Sequence, residues 1–217
     1  MKRQNFKLLL TMLMSMLGVE TFAHDIEVKN EDGNTFFYVW TNNKTELALS
    51  YQGDYPGCYS DVYTGTVIIH QFVTYNNQNY NVTSIRQGTF ENCPHLSSVV
   101  IPSSIARIGN YAFSGCSSLT NVEIPNTVTF IGDEAFFGCT GLVSVNIPNG
   151  LNSLSRCVFY GCSSLSSISI PNGVTSIGGS AFEGCSGLTS LNIPNSVTSI
   201  GDNAFKGCAS LTPKSRI

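Results

Sequence analysis

A phrase of 23 residues recurs along most of this chain, and it restricts the fold more than any other feature. Three residue types return in one register: Phe at Phe90, Phe113, Phe136, Phe159, Phe182 and Phe205, Cys at Cys93, Cys116, Cys139, Cys162, Cys185 and Cys208, and Leu at Leu96, Leu119, Leu142, Leu165, Leu188 and Leu211. A unit this short cannot bury its apolar side chains alone. Successive units must therefore stack as the coils of a solenoid.

One unit, "LTNVEIPNTVTFIGDEAFFGC", shows how a coil is built. Leu119, Val122 and Ile124 lead into a period-2 alternation, which predicts a short strand that Pro125 ends. The "DEAFFG" of residues 133–138 is predicted to form about one helical turn. Pairing between equivalent strands gives a rise of ~4.8 Å per coil and a parallel sheet on one face.

The full phrase, "SIG-x-x-AF-x-GC-x-x-L-x-x-V-x-IP-N-x-V-T", extends over residues 82–211 and resembles the BspA-like leucine-rich repeat proteins of bacteria. The resemblance implies a leucine-rich repeat solenoid of about six coils, with a mostly β or α+β composition and a parallel strand face. It also implies a secreted or cell-surface protein that binds other molecules.

We assign residues 81–217 to the solenoid, with the sixth repeat incomplete. Lys214 and Arg216 take the places of inward apolar residues, and Pro213 removes a ladder donor. Two interpretations remain open: the chain is a truncated copy of a longer solenoid, or these residues protect an exposed sheet edge.

Residues 24–80 precede the repeats, lack their pattern and are predicted to form a β cap. One hairpin is predicted to turn at Asp32-Gly33 and a second at Asn76-Asn77, leading directly into the first repeat. Such a cap would cover the apolar end of the solenoid.

Residues 1–23 have the pattern of a secretory signal peptide. A basic stretch with Lys2, Arg3 and Lys7 precedes an apolar run over residues 8–19, and small residues lead to cleavage after Ala23. The run is shorter than the ~20 residues that span a bilayer, and no later segment is apolar enough to do so. We therefore predict a secreted or surface-exposed protein that begins at His24.

Charge argues against two classes of partner. The whole chain has 11 basic and 14 acidic residues; removing Lys2, Arg3, Lys7 and Glu20 leaves 8 and 13, so the formal charge moves from −3 to −5. A nucleic-acid-binding protein needs a basic footprint, so we expect no such partner. Attachment to an anionic membrane surface is disfavoured for the same reason.

No recognisable catalytic motif occurs in the sequence. It has three His, well separated, and it contains neither H-E-x-x-H, G-x-S-x-G nor C-x-x-C. We predict that the protein is not an enzyme and uses no cofactor or metal.

The eight cysteines leave several interpretations open. An even number in a secreted chain is compatible with a disulfide framework, and the rung spacing permits such bonds. The favoured interpretation is that the six in-register cysteines are small buried hydrophobes, because identical rungs point the same way. Cys58 and Cys157 lie outside the series; Cys157 is predicted to be exposed, either free or paired with Cys162 or Cys139.

Two surfaces are candidates for binding an extracellular protein or glycan. Leucine-rich repeat proteins usually bind along the strand face, where the outward residues are Asn121, Glu123, Ser144, Asn146, Ser167, Ser169, Ser190 and Asn192. This face is polar, lacks aromatic anchors and projects only ~300 Å², whereas a stable interface takes about 800 Å² per partner. Phe137 and Tyr160, predicted neighbours on adjacent coils, form the second candidate.

By the resemblance, the expected function is adhesin-like binding of host matrix or plasma proteins, or of other cells. The alternative is a glycan-binding or scaffolding module at the bacterial surface, which the Asn- and Ser-rich strand face would suit.

Overall fold

The computed structural model describes residues 26–29, 35–51 and 63–211. The predicted signal peptide, the Asp32-Gly33 turn, Cys58 and the Lys214 and Arg216 positions lie outside these ranges. The described residues are rich in strand, and their one helical element is a single 3₁₀ turn over Asn42–Lys44.

Six strands precede the first Phe-Cys phrase: β1 Ile26–Lys29, β2 Thr35–Thr41, β3 Glu46–Ser50, β4 Gly65–Ile68, β5 Phe72–Tyr75 and β6 Gln78–Ile85. The others are short and alternate along the coils: β7 Leu96–Val100, β8 Arg107–Ile108, β9 Asn121–Glu123, β10 Phe130–Ile131, β11 Ser144–Val145, β12 Ser153–Leu154, β13 Ser167–Ser169, β14 Ser176–Ile177, β15 Ser190–Asn192 and β16 Ser199–Ile200.

Each coil contributes to two strand ladders: the parallel strand face that the sequence predicted, and a second ladder that it did not predict. The first ladder consists of β4, β7, β9 and β11, which pair in succession, followed by the pair β13 and β15. The second consists of β6, β8 and β10, followed by β12, β14 and β16. Strand pairing is thus interrupted between β11 and β13 and between β10 and β12. Pairing within the repeats is parallel and in register: Asn121 lies beside Ser144 in the first ladder, and Arg107 lies beside Phe130 in the second. The second strand comes from the "TFI" type of segment, which is too short to show an alternating pattern.

The helical turn predicted for residues 133–138 is wrong. This corner of the coil is a chain of turns in which Glu134 (φ 58°) and Gly138 (φ 66°) both have left-handed backbone conformations, which interrupt an α-helix. The same two positions are left-handed in every coil: Gly88, Tyr111, Cys157, Ser180 and Asn203 match Glu134, and Asn92, Gly115, Gly161, Gly184 and Gly207 match Gly138.

The corner conformation directs backbone amides along the solenoid axis. The Phe136 N–H donates to the Val158 carbonyl oxygen at 3.0 Å, and the Gly138 N–H donates to that of Tyr160 at 2.7 Å. Equivalent bonds join the other corners, so a third ladder links coil to coil. A helix would have used these amides within a single coil.

The core consists of columns of identical side chains, as the repeat predicts. Neighbouring Phe rings of the series from Phe90 to Phe205 stack with centroids 5.2–5.6 Å apart and planes within 19° of parallel. Tyr63 packs edge-on against Phe90 at 4.9 Å and stacks on Phe36, so the aromatic column continues into the N-terminal segment.

The N-terminal strands pair with the strand that leads into the first repeat. β1, β2 and β3 form an antiparallel sheet, and β3 pairs in parallel with β6. The predicted second hairpin is confirmed: β5 and β6 are antiparallel, with Asn76 (φ 50°) and Asn77 (φ 62°) at the turn. Because β4 already pairs with β7, the first ladder begins upstream of the first Phe-Cys phrase.

We expect substitutions at Gly138 to isolate the cost of the corner conformation. A Cβ at Gly138 would meet no atom within 4 Å, so Gly138→Ala costs only backbone strain, about 1 kcal/mol of unfolding free energy. Gly138→Asn should cost about half as much, because Asn tolerates this conformation and Asn92 occupies the equivalent place in an earlier coil. Urea unfolding of the three proteins measures the difference; equal stabilities would contradict it.

Candidate binding surfaces

The strand-face residues predicted from the sequence do lie on one exposed surface. Asn121, Glu123, Ser144, Asn146, Ser167, Ser169, Ser190 and Asn192 are all exposed on the outer side of the first ladder. Buried neighbours such as Val122 and Ile168 alternate with them. The period-2 pattern therefore locates this face correctly.

Several polar groups on this face are already engaged with one another. The Ser144 hydroxyl donates to the Asn121 side-chain oxygen at 2.6 Å. The Asn146 amide accepts from the Ile124 N–H at 2.7 Å and donates to the Ile124 carbonyl oxygen at 2.7 Å. Asn146 thus takes the place of a backbone strand partner, directly after β11 ends at Val145. These groups stabilise the coils and are less available to a ligand.

A hydroxyl column beside this face also joins coil to coil. Thr120 and Thr189 donate to the carbonyl oxygens of Ser97 and Ser166, 23 residues earlier. Val143 occupies the same column, with 45% of its surface exposed. Hydrogen bonds between coils thus already engage part of the polar surface on and beside the first ladder.

Phe137 and Tyr160 form a stacked aromatic pair at the corners of adjacent coils. Their ring centroids are 4.8 Å apart and their planes are within 7° of parallel, and both residues are partly buried. The sequence predicted that they would be neighbours, and this geometry is confirmed. The next residues along their column are Ser114 on one side and Glu183 on the other.

Two ion pairs flank the aromatic pair. The Arg156 guanidinium contacts the Glu134 carboxylate at 2.6 Å, and Lys206 Nζ lies 3.0 Å from the Glu183 carboxylate. A hydrogen bond from the Ser180 hydroxyl, followed by that from Lys206, lowers the pKa of Glu183. We call Phe137, Tyr160 and these two ion pairs the aromatic corner.

One exposed pair on the second ladder was missed by the sequence reasoning. The Arg107 guanidinium carbon lies 4.2 Å from the centroid of the Phe130 ring, which is 36% exposed. The equivalent residues in other coils are Ser84, Ser153, Ser176 and Ser199. Arg107 and Phe130 replace serine in two neighbouring coils. This difference could have identified the pair if a second ladder had been predicted.

The favoured interpretation of the in-register cysteines is largely confirmed. Cys116, Cys139, Cys162 and Cys185 are free and fully buried, and Cys208 is free and partly buried. Their thiols also donate hydrogen bonds, which was not predicted: each lies 3.0–3.2 Å from the Phe carbonyl oxygen 26 residues earlier. Cys93 differs from the rest of the series because it is disulfide-bonded.

Cys157 is free, as one alternative held, but the prediction that it is exposed is wrong. Only 8% of its surface is accessible, and an Arg156 guanidinium nitrogen lies 3.6 Å from its sulfur. Its left-handed backbone (φ 52°) turns the side chain into the corner. Desolvation raises its pKa, and the nearby Arg156 charge opposes this, so the thiol is neutral at physiological pH.

The described ranges contain neither a metal-binding cluster nor a membrane-spanning helix. Residues 26–29, 35–51 and 63–211 contain no group of three or more His, Cys, Asp or Glu side chains that could hold a metal ion. In the same part of the chain, no helix has the length and apolar character to cross a membrane.

Comparison with known proteins supports the repeat assignment. Residues 83–212 match the family described as BspA type leucine rich repeat region, in six copies. No curated protein matched the chain.

Solved structures of bacterial leucine-rich repeat proteins are similar in fold. The Treponema pallidum leucine rich repeat protein is 25% identical, with a TM-score of 0.66 over 83% of this chain and 89% of that one. A leucine rich cell surface protein of Faecalibacterium prausnitzii is 27% identical, with a TM-score of 0.61 over 86% of this chain and 53% of that one. The present chain thus spans about half the length of the second protein.

The buried thiols lead us to expect a steep loss of stability at alkaline pH. Burial raises the pKa of Cys116 and of Cys185 to about 12, and it raises the pKa of Cys139 and of Cys162 well above the ordinary thiol value. Thiols of the unfolded chain ionise near pH 9, so the stabilisation is complete below that pH. It is lost as the pH rises from about 9 to 12, by about 1.4 kcal/mol per pH unit for each thiol.

Urea unfolding in oxygen-free buffer at pH 8, 9 and 10 measures this effect. Cys139→Ala is the control, because removing one thiol should reduce the slope of unfolding free energy against pH by about 1.4 kcal/mol per pH unit. An unfolding free energy that stays constant from pH 8 to 10 would contradict the prediction, as would an unchanged slope in Cys139→Ala.

Proposed function

The chain belongs to the BspA-type leucine-rich repeat family, and from that premise we propose that it is a secreted or cell-surface interaction protein with adhesin-like binding. Its partner is an extracellular protein of the host matrix or plasma, or the surface of another cell. We propose a binding role without catalysis, in keeping with a solenoid built from structural repeats.

Two observations support placement outside the cell. The N-terminal 23 residues have the basic, apolar and small-residue segments of a secretory signal peptide. The similar Faecalibacterium prausnitzii protein is itself described as a cell surface protein. We therefore take the chain from His24 onward as the form that meets its partner.

The observation that carries the proposal is the aromatic corner. Stacking holds the Phe137 and Tyr160 rings rigidly while leaving them partly accessible, so little conformational entropy is lost when a partner covers them. Aromatic residues and Arg are the residue types that most often anchor protein interfaces. The flanking ion pairs supply a polar rim around the rings.

The strand face is a weaker anchor for the same partner. It projects only ~300 Å², less than half of the ~800 Å² that a stable interface covers on each partner. Asn121, Ser144 and Asn146 already make hydrogen bonds within the face. We propose that this face adds area at the edge of an interface centred on the aromatic corner.

Binding of the chain from residue 24 to 217 to immobilised matrix and plasma glycoproteins, and to intact host cells, tests this proposal. We expect saturable binding that falls at least about tenfold in the double variant Phe137→Ser/Tyr160→Ser, because two interface anchors are lost. Ser114 occupies the same column, so the coil should accept these serines.

Val143→Ser is the matched control, since it also replaces an exposed apolar side chain by serine, but on the first ladder. It should weaken binding far less than the double variant does, because the first ladder contributes only at the edge of the proposed interface. The proposed site is wrong if Val143→Ser weakens binding as much as the double variant does. Absence of saturable binding to every glycoprotein and cell type would reject the adhesin-like function itself.

A further inference from the structure

The outer side of the second ladder has one cationic and aromatic spot. Arg107 lies over the Phe130 ring at 4.2 Å, and both residues are exposed. The two strands pair in register, which places Arg107 directly beside Phe130 on adjacent coils. The ring therefore supports the guanidinium group and limits its rotation, while its N–H donors remain available at the surface.

Comparison of equivalent positions indicates that a coil can fold without this Arg-Phe pair. The same column has serine in four other coils, at Ser84, Ser153, Ser176 and Ser199. In three of those coils the apolar residue that follows the serine is buried, as Ile85, Leu154 and Ile177. An exposed Phe is therefore an addition to a position that folds well with serine.

A second exposed cation, Arg86, lies nearby. Arg86 follows Ile85 as the next outward position after Ser84, and Ser84 pairs in register with Arg107. Within the described ranges, neither Arg86 nor Arg107 forms an ion pair. The carboxylate of Glu46, on the neighbouring β3 strand, instead accepts hydrogen bonds from Asn42 and Thr83.

The local charge is opposite in sign to that of the whole protein. The chain from residue 24 has a formal charge of −5, yet this spot has two arginines that form no ion pair with any residue that the structure describes. Lys206 and Arg156, on the corner side, are both neutralised by glutamates. Charge complementarity thus selects an anionic ligand for this spot, in contrast to the aromatic corner.

We propose that Arg86, Arg107 and Phe130 form a binding site for an acidic polysaccharide. The apolar face of a sugar ring packs against the exposed edge of Phe130. The Arg107 guanidinium donates hydrogen bonds to the carboxylate or sulfate group of that sugar, and Arg86 binds the anionic group of a neighbouring sugar. A linear polysaccharide suits the site because the surrounding column presents serine hydroxyls coil after coil. This site is separate from the aromatic corner and goes beyond the proposed protein-binding function.

Binding measurements with four polymers test the site at low salt, using the chain from residue 24 to 217. The probes are dextran sulfate, hyaluronate, neutral dextran and poly-glutamate, which separate sulfate, sugar carboxylate, sugar alone and carboxylate alone. We expect binding to at least one of the two acidic polysaccharides, little binding to neutral dextran, and weaker binding to poly-glutamate.

Variants that restore the serine of the column locate the site. Arg107→Ser should weaken polysaccharide binding about tenfold through loss of a charge-assisted contact, and Phe130→Ser about threefold through loss of ring packing. Lys206→Ser is the matched control: it changes the net charge equally, but on the corner side, and should bind normally. Phe137→Ser/Tyr160→Ser should also bind normally, which distinguishes this site from the proposed protein-binding site.

Three results would overturn the proposal. The first is absence of binding to both acidic polysaccharides. The second is equal weakening by Lys206→Ser and Arg107→Ser, which would indicate diffuse charge attraction without a site. The third is poly-glutamate binding as tight as polysaccharide binding and unaffected by Phe130→Ser. Thermal unfolding checks the fold of each variant; if Arg107→Ser is unstable, Arg107→Gln removes the charge while keeping most of the side chain.

Discussion

Register between coils is the constraint on which the rest of this structure depends. Each coil satisfies its backbone groups largely by bonding to the coils before and after it, through two strand ladders and the corner turns. An unpaired buried backbone group costs more than one hydrogen bond is worth, so every coil must present donors and acceptors at the same places. A fixed length of 23 residues follows from this requirement, as does the stacking of Phe on Phe at 5.2–5.6 Å.

The same constraint explains several residues whose types are common in catalytic or binding sites but whose role here is structural. A cysteine at one position per coil fills a small site between the Phe and Leu columns, and its thiol donates to a Phe carbonyl oxygen of the preceding coil. Tyr111, Glu134 and Cys157 accept a left-handed backbone because the corner amides must point along the axis. Asn146 completes a strand pairing with its side-chain amide. None of these roles requires a ligand.

The sequence predicted the features that follow from the repeat spacing. It did not predict those that depend on the local backbone conformation. The 23-residue interval predicted the solenoid, the buried Phe, Cys and Leu columns and the contact between Phe137 and Tyr160. The turn residues Asn76-Asn77 predicted the hairpin that precedes the repeats. Sequence reasoning missed the second ladder, because a two-residue strand such as Phe130–Ile131 has no readable alternation, and so it missed Arg107 and Phe130 as neighbours. The helical turn was wrong because side-chain propensities do not reveal that a non-glycine residue such as Glu134 adopts a left-handed conformation. Cys157 was placed outside for the same reason.

Function, on this account, lies in the exposed side chains that differ from coil to coil, while the stacking of coils provides stability. Native-state hydrogen exchange of the Phe amides tests the stacking claim most directly. The N–H groups of Phe113, Phe136, Phe159 and Phe182 each donate to the following coil, whereas no described residue accepts from the Phe205 N–H. For those four amides we predict slow exchange, with an opening free energy close to that of global unfolding. For Phe205 we predict exchange at least about a hundredfold faster. Equal protection of all five amides would contradict the claim that bonds between coils hold the structure together.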